Sequence, residues 1–494
     1  MTKDTEDLLE AVHGGDDDAV VRLLRAGVPA GTADADGVTA LYTAAVNGRA
    51  GIVRLLLAAG ADPGRASGEG AGELPLCGAA CHGHTAVVRA LLAAGAEVDR
   101  REEFGFTALG WAVRQGFADT VAALLEYGAD PGLPGPGPGP GQEPPLVTAA
   151  RRGSPSVVRA LLEHGAPGRR AALREAARWI GTDVAGALRR DLAEAYGPDG
   201  YEVVTHLVPE DGGTTVVVEL LRDGVPGAGA EQQTGHAAIA TLLEAALGIR
   251  ADPEVLADRA LRRGDPARDD WTETVRALCG RGDEETLGAA LGWAASEDPL
   301  RRALAADVLG GLGACAGRTL PVLRELARTA RDAGPVTAAV GALGRLGDPA
   351  GLPEVLRHTA HPDPGVRRGV AVALTGLVPA GHRQGVEALI GLSRDTDAEV
   401  RDWATLALAE VPDDSPALRE ALAARLDDPD ADTAAEAARG LAKRGDDRAA
   451  QALARVLAGE APGSRARGIA EAALVHIQDP RDRRRLEHTL PRRR

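Results

Sequence analysis

The chain has 494 residues, too many for one hydrophobic core, and only 2% of them are aromatic against 44% hydrophobic overall, so its interior must be built from small and aliphatic side chains. A formal net charge of -16 opposes long-range attraction to nucleic acid or anionic membrane. Four cysteines, Cys77, Cys81, Cys279 and Cys315, are too few and too irregularly spaced for a disulfide framework, and no run of about 18 apolar residues occurs, so a reducing, cytoplasmic setting without a membrane span is expected.

The first element to emerge is a repeat. Segments AVVRLLRAG, GIVRLLLAAG, TAVVRALLAAG, DTVAALLEYG and SVVRALLEHG end at Gly27, Gly60, Gly95, Gly128 and Gly165, with spacings of 33, 35, 33 and 37. Aliphatic residues three or four apart, such as Val53, Leu56 and Leu57, predict a short amphipathic helix in each, closed by a glycine in the left-handed conformation. Upstream, TALYTAAVNG, LPLCGAACHG, FTALGWAVRQG and PPLVTAARRG predict a second helix per repeat, with Thr39 and Thr107 placed as N-caps.

These residues resemble the ankyrin family. Asp36-Gly37-Val38-Thr39-Ala40-Leu41, Leu74-Pro75-Leu76-Cys77, Gly83-His84 and Gly60-Ala61-Asp62 fall in register with its repeat over residues 5 to 168, while Leu74 and Pro144 replace the capping threonine and PGLPGPGPGPGQ lengthens the fourth finger. The resemblance implies a concave binding surface built from the fingers and first helices. Carried over position by position, the family's variable sites select Ala35, Asp36, Val38, Val46 and Asn47 in the second repeat, then Glu73, Cys81 and His82 in the third. In the fourth they select Glu103, Phe104, Phe106, Arg114 and Gln115, beside Trp111, and in the fifth Arg151 and Arg152. All three phenylalanines belong to the fourth repeat, and aromatics beside arginine suit a binding hot spot, although Phe104 and Phe106 would equally cover the next finger's apolar edge.

Residues 169 to 250 form a connector. AALREAARWI and TDVAGALRRDLAEAYG suggest a degenerate sixth helix pair with Thr182 or Asp183 as a cap. YEVVTHLV and TTVVVELL, joined by PEDGG, predict a β-hairpin near 201–222, and GHAAIATLLEAALG returns to a helix like an ankyrin second helix, so the hairpin reads as an insertion in a divergent repeat.

From residue 251 to 480 a second period appears. Arg301, Arg367, Arg401 and Arg467 are separated by 66, 34 and 66, a period near 33 with weaker copies between, and Asp298-Pro299 and Asp363-Pro364 supply N-cap and N1 pairs. The pattern resembles HEAT repeats, about six of them. The fold expected is therefore an all-α helical repeat solenoid, ankyrin pairs followed by a HEAT-like superhelix and a basic tail, 481–494, holding seven arginines against two acids.

No P-loop, H-E-x-x-H, G-x-S-x-G or C-x-x-C motif occurs. PGPGPGPGQ alternates with proline, which lacks the N–H a phosphate needs, and reads as a stiff spacer. Cys77, Cys81, His82 and His84 have the types to meet zinc, but a structural role fits better, and no metal or other cofactor is expected. The expectation is a non-enzymatic protein-interaction scaffold, monomeric, of bacterial-like cytoplasm. The alternatives are a nucleic-acid binder using the HEAT arginines and tail or, by analogy with HEAT-like proteins of phycobilisome assembly, a lyase or modification factor.

Overall fold

The computed structural model describes residues 2–68, 72–136, 143–197, 200–210 and 212–488. Much of the proline-glycine spacer and the tail's last six residues therefore lie outside the described residues. The chain divides into two compact units, Met1–Ala277 and Leu278–Arg494, so residue 251, the expected start of the second period, lies inside the first. Among the described residues no helix is long and apolar enough to cross a membrane.

In the first unit five helix pairs follow one another: Lys3–Gly14 with Asp17–Arg25, Ala40–Val46 with Ala50–Ala58, Pro75–Cys81 with Thr85–Ala93, Ala108–Gln115 with Ala118–Glu126, and Pro145–Arg152 with Pro155–Glu163. Each helix is only two or three turns long and would not survive alone, so stability comes from burying its apolar stripe on its neighbours. Leu41, Ile52, Leu91, Leu109, Leu146 and Leu161 belong to one continuous core. Thr39 and Thr107 cap their helices, accepting from the Tyr42 and Gly110 N–H groups, whereas Leu74 and Pro144 give no side-chain cap. The five terminal glycines all take positive φ, between 78° and 93°.

The sixth pair is not the one the sequence suggests. Arg169–Trp179 packs against His236–Ala246, and Ala172, Ala176, Ile239 and Leu243 from these two helices join the ankyrin core. Helix Val184–Tyr196, capped by Asp183, leaves that stack and packs on a sheet instead. Its Val184, Leu188 and Leu192 cover Val216, Val218 and Leu220, a separate small core. The insertion is thus a helix plus a three-stranded antiparallel sheet, ordered β1 (Glu202–Glu210), β2 (Gly213–Arg222), β3 (Val225–Gln233).

The predicted hairpin is β1 and β2, but the strands run on through Pro209 and Glu210, pairing Glu210 with Gly213. The third strand, VPGAGAEQQ, has almost no β-branched residues, which is why its composition hides it. A two-residue turn joins it to β2: Asp223 and Gly224 have φ of 53° and 76°, and Arg222 pairs with Val225. Asp-Gly at such a turn is a strong hairpin signal, and it stands in the sequence.

In the second unit six helices, Pro299–Gly311, Ala333–Leu346, Pro364–Leu377, Ala398–Glu410, Ala431–Lys443 and Arg465–Ala473, pack each against the next. Small residues let them approach closely: a Cβ on Gly344 would lie 2.7 Å from the Ala373 Cα, and one on Gly310 would lie 2.8 Å from the Ala342 Cα. Asp298, Asp363 and Asp397 cap three of these helices, with proline at N1 in the first two.

Candidate functional site

The fourth repeat's finger closes a tight turn in which the Gly105 N–H donates to the Glu102 carbonyl and the Glu102 N–H to the Phe106 carbonyl. Gly105 has φ of 79°, a conformation that costs a side chain dearly. The turn puts Phe104 at the tip, 55% exposed, and folds Phe106 back over the first helix of the repeat. Phe106 lies 4.4 Å, centroid to centroid, from Trp111, and the Arg114 guanidinium sits 5.7 Å from the Phe106 ring. Trp111 and Arg114 share a helix face because they are three residues apart. The indole N–H of Trp111 donates to the buried Glu102 carboxylate at 2.5 Å, and burial pushes that carboxyl above its ordinary pKa despite the bond.

Phe106 and Arg114 open onto a cavity of about 430 Å³, shared with Val113, Pro136, Glu143, Pro145, Thr148, Arg151, Arg152, Glu231 and Gln232. Its cations differ in status. Arg151 grips Glu143 through both terminal nitrogens and reaches Glu175 at 3.1 Å. Arg152 pairs with Glu231 and donates to the Gln115 carbonyl at 3.1 Å. Arg114, exposed, has no ion-pair partner among the described residues. Cation–π contact with Phe106 holds it at the mouth for about 0.5–1 kcal/mol, leaving its donors free.

Four of the sequence-selected residues, Phe106, Arg114, Arg151 and Arg152, therefore line one cavity. Val46 and Asn47, Cys81 and His82, Arg114 and Gln115, and Arg151 and Arg152 take equivalent places at the ends of successive first helices. Hydrogen bonds link that row: Gln115 donates to the Cys81 sulfur at 3.8 Å, and His84 Nε2 contacts the Val46 carbonyl at 2.8 Å. Glu73, half-buried, stands beside the Tyr42 phenol, whose pKa is raised by burial and by that carboxylate, while Glu103 is exposed beside Phe104. Sequence reasoning missed Glu143, Glu231 and Gln232. The last two come from β3, and nothing in the linear pattern brings that strand to the fifth repeat.

The thiol and imidazole cluster of the third repeat is tied up locally. Cys77 is buried against the Phe106 carbonyl with its thiol pKa pushed up by burial, so it stays protonated. His82 Nδ1 contacts its own helix at the Gly78 carbonyl, 2.9 Å away. Among the described residues no group of three or more His, Cys, Asp or Glu is arranged to hold a metal.

The second unit uses its arginines differently. Arg302, Arg367 and Arg401 each stand four residues after a capping aspartate and repeat one pattern: the guanidinium donates to the carbonyls five and six residues back and reaches an aspartate about one repeat ahead. Those partners are Asp332 at 3.0 Å, Asp395 at 2.7 Å and Asp428 at 3.1 Å. Arg302 rather than Arg301 is the one in phase, a one-residue correction that the aspartate caps reveal. Arg467 closes the series on Glu471 and two carbonyls. With their donors so consumed, these arginines offer phosphate little.

Family models match ankyrin repeats at residues 36–67 and, in three copies, at 67–135, and HEAT repeats at 336–409 and 386–475. No curated protein matches the chain. Ankyrin and HEAT repeats are generally protein-interaction scaffolds, typically without catalysis. Helix pairs, capping threonines, and the aspartate-arginine ladder thus carry one conclusion: this chain is an ankyrin-repeat protein fused to HEAT repeats.

Proposed function

We propose that the protein is a scaffold or adaptor that captures a partner protein on the finger and first-helix face of its ankyrin repeats, centred on the fourth repeat, with the HEAT array adding a further surface. The observation that carries this reading is Arg114, a cation without an ion-pair partner among the described residues, poised over Phe106 at the mouth of the 430 Å³ cavity. An exposed aromatic at the finger tip, Phe104, stands on the same turn. Aromatic and arginine side chains around a pocket are what concentrate binding energy in interfaces, and the free guanidinium favours a partner that inserts a carboxylate. The reading takes residues 1–168 as the ankyrin part and the protein as a cytoplasmic monomer, in keeping with four free thiols.

Affinity capture from native lysate tests it. The wild-type chain retains a specific protein, and Arg114→Glu loses it while melting at the same temperature, since the side chain is exposed. Equal retention by the variant rejects the site.

A further inference from the structure

A second pocket, of about 250 Å³, lies where the insertion meets the sixth helix pair, and no part of the scaffold reading uses it. Its walls come from the Trp179–Val184 loop, the Thr234–Ala237 junction, and Arg262, Arg263 and Asp270. The floor is built. His236 is buried and stacked on Trp179, ring centroids 5.5 Å apart, and its Nε2 contacts the Arg151 carbonyl at 3.1 Å, so that nitrogen carries the proton. Asp270, 4% exposed, accepts the Ala238 N–H at 3.0 Å and so caps a helix that Gly235 leaves uncapped.

The charges around it do not balance. Arg262 and Arg263 have no ion-pair partner among the described residues, and Arg262 leans on Gly181 at the rim. Arg268, behind the wall, donates to the Thr214 and Thr234 hydroxyls, and its buried Nε has no partner. Two guanidiniums thus face one carboxylate across the pocket, with Arg268 close behind. The other nearby acids are engaged elsewhere: Glu175 with Arg151 and Arg178, and Asp269 toward Arg159. Partial loss of solvent at the pocket wall, and then the nearby Arg268, push Arg263 below its ordinary pKa.

We propose that this pocket binds a phosphate monoester, its phosphate held by the forks of Arg262 and Arg263 and its organic part laid against Trp179. The lining carries one more cation than anion, which favours an anionic group, and two planar forks suit one with three free oxygens better than a carboxylate with two. The volume falls below the roughly 300–1,000 Å³ of drug-sized sites, so the occupant is a small ester or one phosphorylated side chain, not a folded surface.

Titration calorimetry on the full chain tests this, with inorganic phosphate, glycerol 3-phosphate, adenosine 5′-monophosphate, and a phosphoserine peptide beside its unphosphorylated form as probes. At least one phosphate probe binds the wild type, and the double variant Arg262→Gln, Arg263→Gln weakens it by about tenfold or more, the size expected on losing a charge-assisted contact. Both side chains are exposed, and an unchanged melting temperature shows that the fold persists. Arg114→Glu leaves this binding intact. Tighter binding of the small esters assigns the site to a free metabolite, and tighter binding of the phosphopeptide assigns it to a modified partner. Absence of binding by every phosphate probe, or equal binding by the double variant, overturns the proposal.

Discussion

The two units spend the same residue in opposite ways. In the HEAT array, arginine is mortar: Arg302, Arg367 and Arg401 each join a turn to the next repeat, and the Arg401–Asp428 pair is 12% and 1% exposed. In the ankyrin unit, arginines reach the surface of a cavity, and one of them, Arg114, holds no partner among the described residues. The difference teaches that a periodic arginine is a poor pointer to function and a solitary one beside an aromatic is a better pointer. Removing a partner from a desolvated pair leaves a bare charge, whereas changing an exposed cation leaves the fold untouched.

The largest effect expected follows directly. Arg401→Ala strands Asp428 and should lower stability by about 3 kcal/mol or more, the scale for breaking a buried pair, with Arg425 offsetting part of the loss. Urea unfolding of the variant beside Arg114→Glu checks it. If the two melt alike, the contrast between structural and free arginines collapses.

Acid separates the units next. Burial lowers the His236 pKa to about 4 from 6.5, so below pH 6.5 the unfolded chain takes up a proton that the folded one refuses. Stability is present above pH 6.5 and falls as pH drops toward 4, by about 3 kcal/mol from this group, and His236→Gln should flatten that slope. The HEAT ladder holds longer, because the Arg367 bond keeps the Asp395 carboxyl below its ordinary pKa and that contribution is lost only as pH falls through the lowered value. Hydrogen exchange at pH 7 and 4.5 reads both units, and simultaneous opening would contradict the order.

A smaller effect probes the close-packed seam of the second unit. Gly344→Ala places a methyl 2.7 Å from a neighbouring Cα and should cost about 1–3 kcal/mol of strain, although alanine favours a helix. A stabilised variant in thermal melting would show that the helices have room to part.

The ankyrin pairs were legible because each states its period, cap and stop within a few residues: Thr39, Thr107 and the glycines at 27 to 165 act on their own neighbours. The HEAT phase was legible to within one residue, Arg301 for Arg302, because two adjacent arginines satisfy the same spacing and only the capping aspartate distinguishes them. The inserted hairpin and the returning helix were legible, and the helix before the hairpin was not, because its partner is distant. Val184–Tyr196 has the amphipathic pattern of a second helix, and pattern alone does not say whether its apolar side meets Arg169–Trp179 or a sheet. The third strand announced itself only through Asp223-Gly224. In the cavity, Phe106 and Arg114 were found as neighbours on one repeat, while Glu231 arrives from 117 positions beyond Arg114 through a fold no local signal encodes.

The central claim, that a partner docks on the fourth ankyrin repeat, is tested most directly by a photo-crosslinking residue at position 104 of the full chain, beside a control at Arg383 on the HEAT array, whose side chain is 89% exposed and, among the described residues, is paired within its own helix. The account predicts one discrete crosslinked protein from position 104, abolished by Arg114→Glu in the same chain. No crosslink at 104, or one that persists unchanged with Arg114→Glu, would contradict it.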